Sequence, residues 1–219
     1  MRIDDPAFVK TYEAMAKAYG ARPNFIETNW QSTSADKNFE IIRHAKFDIA
    51  RGFYLYGNPG VGKTHALKLI FNEIFFQLVA DRMENILWKN NPYWIHASTY
   101  LEGQKQFERG SEELLRIKEN VTRAKWLFID DLGATTKTDW AIDQIYQVVD
   151  ERVQEKKQTF FSSNLSPTAL GEFYNERISS RVAELSLPVY FKGDDKRVEG
   201  MKKDYFEMVS NIKPANGRQ

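Results

Sequence analysis

A short apolar run at residues 53–56 leads directly into the segment GNPGVGKT at residues 57–64. Glycines let consecutive backbone N–H groups curl around phosphate oxygens, and a helix that starts after such a turn directs its positive end at them. Lys63 can reach the terminal phosphates, and the Thr64 hydroxyl can hold Mg²⁺. The pattern predicts a nucleoside triphosphate site, and its phosphate-binding residues are Gly57, Asn58, Pro59, Gly60, Val61, Gly62, Lys63 and Thr64.

Two acidic residues follow a second apolar run. Residues 126–129 read WLFI, and Asp130 and Asp131 come next. A buried strand that delivers a carboxylate beside a phosphate loop can form the second half of a triphosphate site. We expect Asp130 to hold Mg²⁺ through its water shell and Asp131 to polarise the attacking water. The plainer alternative is that the two acids only start a loop.

A neutral amide comes at the end of a third strand-like segment. Residues 159–163 read TFFSS, and Asn164 comes next. An amide there can position the attacking water without competing for Mg²⁺. Asn also suits turns, so the alternative is a turn ahead of residues 165–167. The place of Asn164 at the end of a strand favours the functional role.

Two arginines, Arg177 and Arg181, lie one helical turn apart and therefore share a face. Beside an apolar packing face, such a pair suits reaching the γ-phosphate that another subunit binds, where a guanidinium stabilises charge in the transition state. The alternative is a solvated face with ion pairs to Glu176 or Glu184.

The composition bounds the remaining possibilities. A chain of 219 residues forms one domain or one domain with a short appendage. The net charge is +1, so no global field attracts nucleic acid or membranes. The absence of cysteine excludes disulfides and cysteine metal sites, and the three histidines are scattered. No signal peptide or bilayer-length apolar run is visible, so we expect a cytoplasmic protein without a membrane partner.

Strand and helix patterns alternate along the chain. This alternation predicts a parallel, three-layer α/β sheet of five strands with flanking helices, and an active site at the carboxyl ends of the strands. The predicted strands are 53–56, 92–97, 124–131, 158–164 and 187–192. The predicted helical segments are 64–82, 98–123 with a break near Gly110, 139–156 capped by Thr138, 166–185 and 196–212.

Residues 98–123 and the adjoining Lys125 combine basic and aromatic side chains. Basic residues with aromatics between them can bind single-stranded nucleic acid by phosphate contact and base stacking. Several glutamates dilute the charge, however, so the residues alone favour an ordinary solvated helical face. The residues concerned are Lys105, Arg109, Arg116, Lys118, Arg123 and Lys125, with the aromatics Tyr100 and Phe107.

Four segments that occur in a fixed order indicate a family more specifically than any one of them does. GNPGVGKT, WLFIDDLG, FFSSNL and NERISSRV together resemble the DnaC/DnaI/IstB group of AAA+ ATPases, above all its helicase-loader branch. The resemblance covers roughly residues 40–195. It implies ATP as the nucleotide, with Lys63 and Thr64 in Walker A, Asp130 and Asp131 in Walker B, and Asn164 at the sensor 1 position. It also implies that Arg181, accompanied by Arg177, is an arginine finger that acts in trans in a homo-oligomer.

The resemblance carries further expectations about domains and partners. We expect an N-terminal helical segment at 1–33 that binds a partner, an AAA+ core at 34–195, and a C-terminal helix and tail at 196–219. Because little of the sequence follows Gly193, we expect no separate C-terminal lid domain of the helical kind that many AAA+ proteins have. In this group the segment before Walker B is linked to single-stranded DNA, which strengthens the DNA interpretation of 98–123. A departure is Asp131, where most AAA+ proteins have Glu.

Four functions remain open from the sequence. The leading hypothesis is an ATP-hydrolysing replicative helicase loader that binds a replicative DNA helicase and single-stranded DNA. The second is an IstB-like transposition ATPase that assembles on DNA and engages a transposase. A small-molecule P-loop kinase would need an acceptor pocket and lid arginines that the sequence does not reveal. A nucleotide-gated scaffold that barely hydrolyses ATP is the fourth.

Overall fold

A parallel sheet of five strands, in the order β2-β3-β4-β1-β5, forms the centre of the protein. The computed structural model describes residues 10, 12–14, 17–21, 25, 28, 37–43, 51–80, 91–107 and 112–210. Every pairing in the sheet is parallel, which confirms the α/β class predicted from the alternating pattern. The strands are β1 (Gly52–Gly57), β2 (Pro92–His96), β3 (Trp126–Asp130), β4 (Gln158–Ser163) and β5 (Ser186–Phe191).

Helices connect and cover the strands. They are α1 (Glu40–Arg43) after a 3-10 turn at Lys37–Phe39, α2 (Lys63–Ala80), α3 (Ala97–Phe107), α4 (Glu112–Arg123), α5 (Asp139–Gln154), α6 (Pro167–Phe173), α7 (Glu176–Leu185) and α8 (Lys196–Ser210). Among the described residues, no helix has the length and apolar content that a membrane span requires.

Local capping explains where several helices begin. The Thr138 hydroxyl accepts a hydrogen bond from the Ala141 amide at 3.1 Å, so the predicted cap of α5 is confirmed. The predicted segment 166–185 is two helices, because α6 ends at Phe173 and the Asn175 side chain caps a new helix through the Ile178 amide. Strand and helix ends otherwise agree with the predictions to within two residues, as β4 shows by ending one residue before Asn164.

Aromatic side chains fill the core on both faces of the sheet. Phe128 and Phe160 stack across β3 and β4 with ring centroids 4.7 Å apart, and Trp94 stacks on Phe128 at 5.9 Å. Helix α2 carries buried side chains around most of its surface, as its uniformly apolar sequence predicts. Strands buried on both faces hold their carboxyl ends rigidly, which fixes the positions of the polar residues that follow them.

Described residues near the N-terminus also belong to this core. Tyr12 packs edge-on against Phe75 of α2 at 5.0 Å, and the Trp94 amide of β2 donates to the Tyr19 carbonyl at 2.8 Å. Phe25 is 2% exposed. The sequence also predicts a first helix that starts near Asp5 and a second that Ser34 caps, and both positions lie outside the described residues. The partner-binding role of 1–33 stays a prediction.

Candidate nucleotide-binding site

The residues 57–64, here called the glycine loop, join β1 to α2. Gly60 has φ +75° and Gly62 has φ +102°, backbone conformations that L side chains rarely adopt. A Cβ built on Gly60 would lie 1.8 Å from Asp195 Oδ1, so any other residue there would also displace the Asp195 side chain. Helix α2 begins at Lys63, so its first free amides face the loop. The loop therefore has the backbone of an anion-binding turn.

The Lys63 side chain is folded into the glycine loop and is 6% exposed. Its Nζ donates to the Gly57 carbonyl at 2.9 Å, to the Asn58 carbonyl at 2.6 Å and to Asn164 Oδ1 at 2.8 Å. Burial lowers the pKa of Lys63, and the charge of Asp131 opposes that shift. All three acceptors are neutral, so an anionic phosphate oxygen would attract the ammonium group more strongly than they do.

The Asp130 carboxylate lies fully buried at the end of β3. Its Oδ1 accepts hydrogen bonds from the Ser162 hydroxyl and, at 3.0 Å, from the Thr64 hydroxyl. Its Oδ2 has no hydrogen-bond partner among the described residues. Burial raises the pKa of Asp130, and the Ser162 hydrogen bond acts in the opposite direction. An unsatisfied carboxylate oxygen beside a hydroxyl is a set of hard donors, which fits Mg²⁺.

Asp131 follows with a left-handed backbone, at φ +56°. Its amide donates to the Ser162 hydroxyl at 3.0 Å, and its exposed side chain lines the cleft described below. Asp tolerates this conformation better than most residues, and such backbone is frequent at functional sites. The turn leaves the two neighbouring carboxylates in different environments, since that of Asp130 is buried and that of Asp131 is exposed.

His96 also belongs to this group, although nothing in its local sequence singles it out. Its Nδ1 lies 3.4 Å from Asp130 Oδ2, and ligand atoms of His96, Asp130 and Asp131 lie within 4.8 Å of one another. The signal that could have found it is strand register, because His96 ends β2 directly beside Asp130 in the parallel pairing. An imidazole at this place can orient the carboxylate or add a nitrogen ligand.

A cleft of about 460 Å³ opens over the glycine loop. Five of its lining residues were predicted to bind phosphates: Pro59, Gly60, Gly62, Lys63 and Thr64. The other predicted site residues that line it are Asp131 and Asn164, and unpredicted ones include His65 and Arg197. Val61 is buried in the core, and Gly57 and Asn58 face Lys63 through their carbonyls. The structure thus gathers predicted site residues from three separate segments, and Arg197 comes from a fourth.

Arg197 reaches the cleft from α8. The Lys196 amide donates to the Gly60 carbonyl at 3.2 Å, which ties the start of α8 to the glycine loop. Arg197 Nε and Nη2 each lie 3.1 Å from an oxygen of Asp195. Local pattern could not reveal this residue, because only the return of the chain after β5 brings it to the loop.

Arg177 and Arg181 lie away from the cleft of their own chain. Arg181 Nε lies 2.9 Å from Asp150 Oδ1 of α5, and its Nη1 lies 3.2 Å from Glu184, the ion pair that the sequence offered as an alternative. Arg177 donates to the Tyr146 hydroxyl at 2.8 Å. Neither arginine lines the cleft, so any contact with a triphosphate would be with one bound by another copy.

The segment 98–123 presents a mixed surface. In α4 and just after it, Arg116, Lys118, Arg123 and Lys125 are exposed. Tyr100, in contrast, is 5% exposed, so its predicted place among stacking aromatics is wrong: it lies on the core face of α3. Arg109 and the side chain of Phe107 lie outside the described residues. The exposed basic side chains can still contact phosphates, whereas Tyr100 is not available to stack on a nucleobase.

A five-stranded parallel sheet with this cleft at its carboxyl edge defines an AAA+ nucleotide-binding domain. The family model of the bacterial DnaA ATPase domain matches residues 22–187. The chain belongs to that family.

Two relatives resemble the chain in sequence. The replicative helicase loader DnaI of Bacillus subtilis is 29% identical over 160 residues, which are 67% of this chain and 48% of DnaI. The replicative helicase loader DnaC of Escherichia coli K12 is 27% identical over 185 residues, which are 82% of this chain and 69% of DnaC. The chain thus spans about half the length of DnaI.

Solved structures share the fold. The crystal structure of the DnaC helicase loader aligns with a TM-score of 0.58 and 19% identity, over 74% of this chain and 90% of that chain. The replication initiator DnaA bound to AMPPCP and single-stranded DNA aligns with a TM-score of 0.60 and 15% identity, over 85% of this chain and 57% of that chain. These structures are less than 25% identical to the chain, and they show that it shares the AAA+ fold.

Proposed function

We propose that this protein binds ATP with Mg²⁺ in the cleft over the glycine loop, hydrolyses it, and acts as a replicative helicase loader. The observation that carries the proposal is the convergence of Lys63, Thr64, Asp130 and Asn164 from three strand ends within hydrogen-bond distance. The sequence likeness to DnaI and DnaC supports the choice of helicase loading among replication functions.

Each residue has a distinct task in the proposed reaction. Lys63 exchanges its neutral acceptors for the β- and γ-phosphate oxygens, and this releases the Asn164 amide. Asn164 then orients the attacking water, and Asp131 accepts its proton as the oxygen attacks phosphorus and ADP leaves. Thr64 and Asp130 would hold Mg²⁺, which neutralises charge on the phosphates when bound.

Arginines from a second copy complete the proposed site. Arg181, with Arg177 beside it, projects from α7 and would stabilise the charge that develops on the γ-phosphate in the neighbouring copy. Because neither side chain lines its own cleft, hydrolysis would require assembly. Turnover per protomer should therefore rise with protein concentration.

Single-stranded DNA would bind along α3 and α4. The exposed cations Lys105, Arg116, Lys118 and Arg123 offer phosphate contacts, which weaken with added salt. Glu119 lies 3.8 Å from Arg123, an exposed pair that a phosphate can displace at small cost. Such contacts follow the backbone and carry little sequence preference.

The test is ATP turnover with and without single-stranded DNA, alongside a mass measurement of the assembly. We expect slow turnover that DNA and protein concentration stimulate, and none in Lys63→Ala. Capture of a replicative helicase by the protein separates loading from the IstB-like alternative. A protein that captures no helicase and prefers double-stranded DNA would instead be a transposition ATPase.

A further inference from the structure

A continuous chain of polar contacts joins helices α5 and α7. The Arg177 guanidinium lies 4.3 Å from the centroid of the Tyr146 ring and donates to the Tyr146 hydroxyl. That hydroxyl donates to Asp150 Oδ1 at 3.2 Å, and Arg181 Nε lies 2.9 Å from the same oxygen. Arg181 Nη1 lies 3.2 Å from Glu184. Both arginines of α7 therefore belong to one cluster centred on Asp150.

The two carboxylates hold different parts of the Arg181 guanidinium. Asp150 contacts Nε, the nitrogen next to the aliphatic stem, whereas Glu184 contacts Nη1 at the tip. The guanidinium is planar and rigid, so an acceptor at Nε fixes the direction in which the tip points. Asp150 thus orients the Arg181 guanidinium, and Glu184 only pairs with its Nη1 atom.

The two ion pairs also differ in exposure. The Asp150 side chain is 19% exposed and that of Glu184 is 54% exposed. Attraction between charges is screened less where solvent is excluded, so the pair with Asp150 is the one that persists. The pair with Glu184 is weak because it is solvated, and a phosphate group can replace it at small cost.

We propose that Asp150 is a positioning residue that holds Arg181 ready for the triphosphate bound by a second copy of this chain. Tyr146 supports Arg177 in the same cluster. The inference rests on the proposed function, because it requires Arg181 to act in the neighbouring site. A side chain oriented before assembly need not lose its rotamer freedom when it meets the transition state, which makes each encounter more productive.

A purely structural tie between α5 and α7 would show the same contacts. The two helices, however, already contribute buried apolar side chains to the core, including Ile145, Val149, Ile178 and Val182. Removing the Asp150 carboxylate should therefore leave the fold intact. The two interpretations differ in one respect: a positioning role for Asp150 exists only when Arg181 is present.

The experiment measures ATP turnover at saturating protein, nucleotide affinity and melting temperature for a set of variants. They are Asp150→Ala, Asp150→Asn, Asp150→Glu, Arg181→Ala and the double variant Asp150→Ala/Arg181→Ala. Asp143→Ala is the matched control, because Asp143 is an exposed carboxylate on the same helix.

We expect Asp150→Ala to lower turnover about tenfold, a loss of ~1.4 kcal/mol in transition-state stabilisation, without changing nucleotide affinity. Asp150→Asn should recover part of the lost turnover, since an amide oxygen still accepts a hydrogen bond from Arg181 Nε. Adding Asp150→Ala to Arg181→Ala should not lower turnover further, and Asp143→Ala should turn over ATP at the wild-type rate.

Turnover of Asp150→Ala within twofold of the wild type overturns the inference, as does an equal tenfold loss in the Arg181→Ala background. If Asp150→Ala does not fold, Asp150→Glu decides, because it keeps the charge but displaces it by one methylene. Reduced turnover supports positioning, and wild-type turnover contradicts it. A wild-type protein without ATPase activity, or an Arg181→Ala variant with full activity, would instead contradict the proposed function.

Discussion

Replacing Asp130 by Asn should change stability in opposite directions with and without nucleotide. The wild-type carboxylate is fully buried, and its Oδ2 has no hydrogen-bond partner in the described part of the chain. An unsatisfied buried polar group costs about 1–3 kcal/mol. Asn removes the buried negative charge and keeps an oxygen for the two hydroxyl donors. Their hydrogen bonds lose charge assistance, and the amide NH2 takes the place of Oδ2, so the net gain should be ~1 kcal/mol. For a chain of this size that gain raises the melting temperature by roughly 2–4 °C.

With magnesium and nucleotide bound, the wild type should be more stable than Asp130→Asn. A ligand at one hundred times its dissociation constant stabilises the folded state by about 2.7 kcal/mol. The wild type should gain this stability from Mg²⁺ with a non-hydrolysable ATP analogue, and Asp130→Asn should lose most of it. Asp131→Asn is the matched control, because that side chain is exposed and Asn also tolerates its left-handed backbone.

The pH dependence of apo stability tests the direction of the Asp130→Asn effect independently. Burial raises the pKa of Asp130, so the folded apo protein binds a proton more readily than the unfolded chain does. Apo stability should therefore fall as pH rises from the ordinary carboxyl value, about 4, through the raised folded pKa. The stability that Asp130→Asn gains over the wild type, without nucleotide, should shrink as pH falls. Thermal melts in chelator measure this, and an apo variant less stable than the wild type at neutral pH would refute the reasoning.

Three further predictions follow from single contacts. Gly60→Ala should reduce nucleotide affinity at least tenfold by titration calorimetry, because its φ is +75° and Asp195 occupies the space for a Cβ; unchanged affinity would contradict this geometry. Arg197→Ala should weaken nucleotide binding about tenfold through loss of one cation, and equal binding by the variant would exclude a phosphate contact. Arg152→Ala should cost at least ~3 kcal/mol in urea unfolding, because four buried acceptors lose their donor, whereas the exposed Arg123→Ala should stay within ~0.5 kcal/mol.

The fold and the centre of the candidate site could be predicted because both depend on local signals. Alternating strand and helix patterns specify a parallel sheet, and a parallel sheet collects the ends of its strands at one edge. Residues at or after the ends of strands, such as Lys63, Asp130 and Asn164, are therefore brought together whatever the details of packing.

Residues whose place depends on tertiary packing could not be predicted. His96 comes beside Asp130 through the register of two strands, and Arg197 reaches the cleft because α8 returns to the glycine loop. Tyr100 lies in the core because α3 turns that face to the sheet, a choice that a mixed helical pattern leaves open. Arg152 interrupts the apolar, buried face of α5, and it can be buried there because four acceptors surround its guanidinium.

A mixing experiment tests most directly whether one copy completes the site of another. Lys63→Ala cannot hold the triphosphate but supplies Arg181, and Arg181→Ala holds the triphosphate but supplies no arginine. Each variant alone should be inactive, and an equimolar mixture should recover a substantial part of wild-type turnover. A mixture as inactive as its components, under conditions where the two variants co-assemble, would contradict a nucleotide site shared between neighbouring copies.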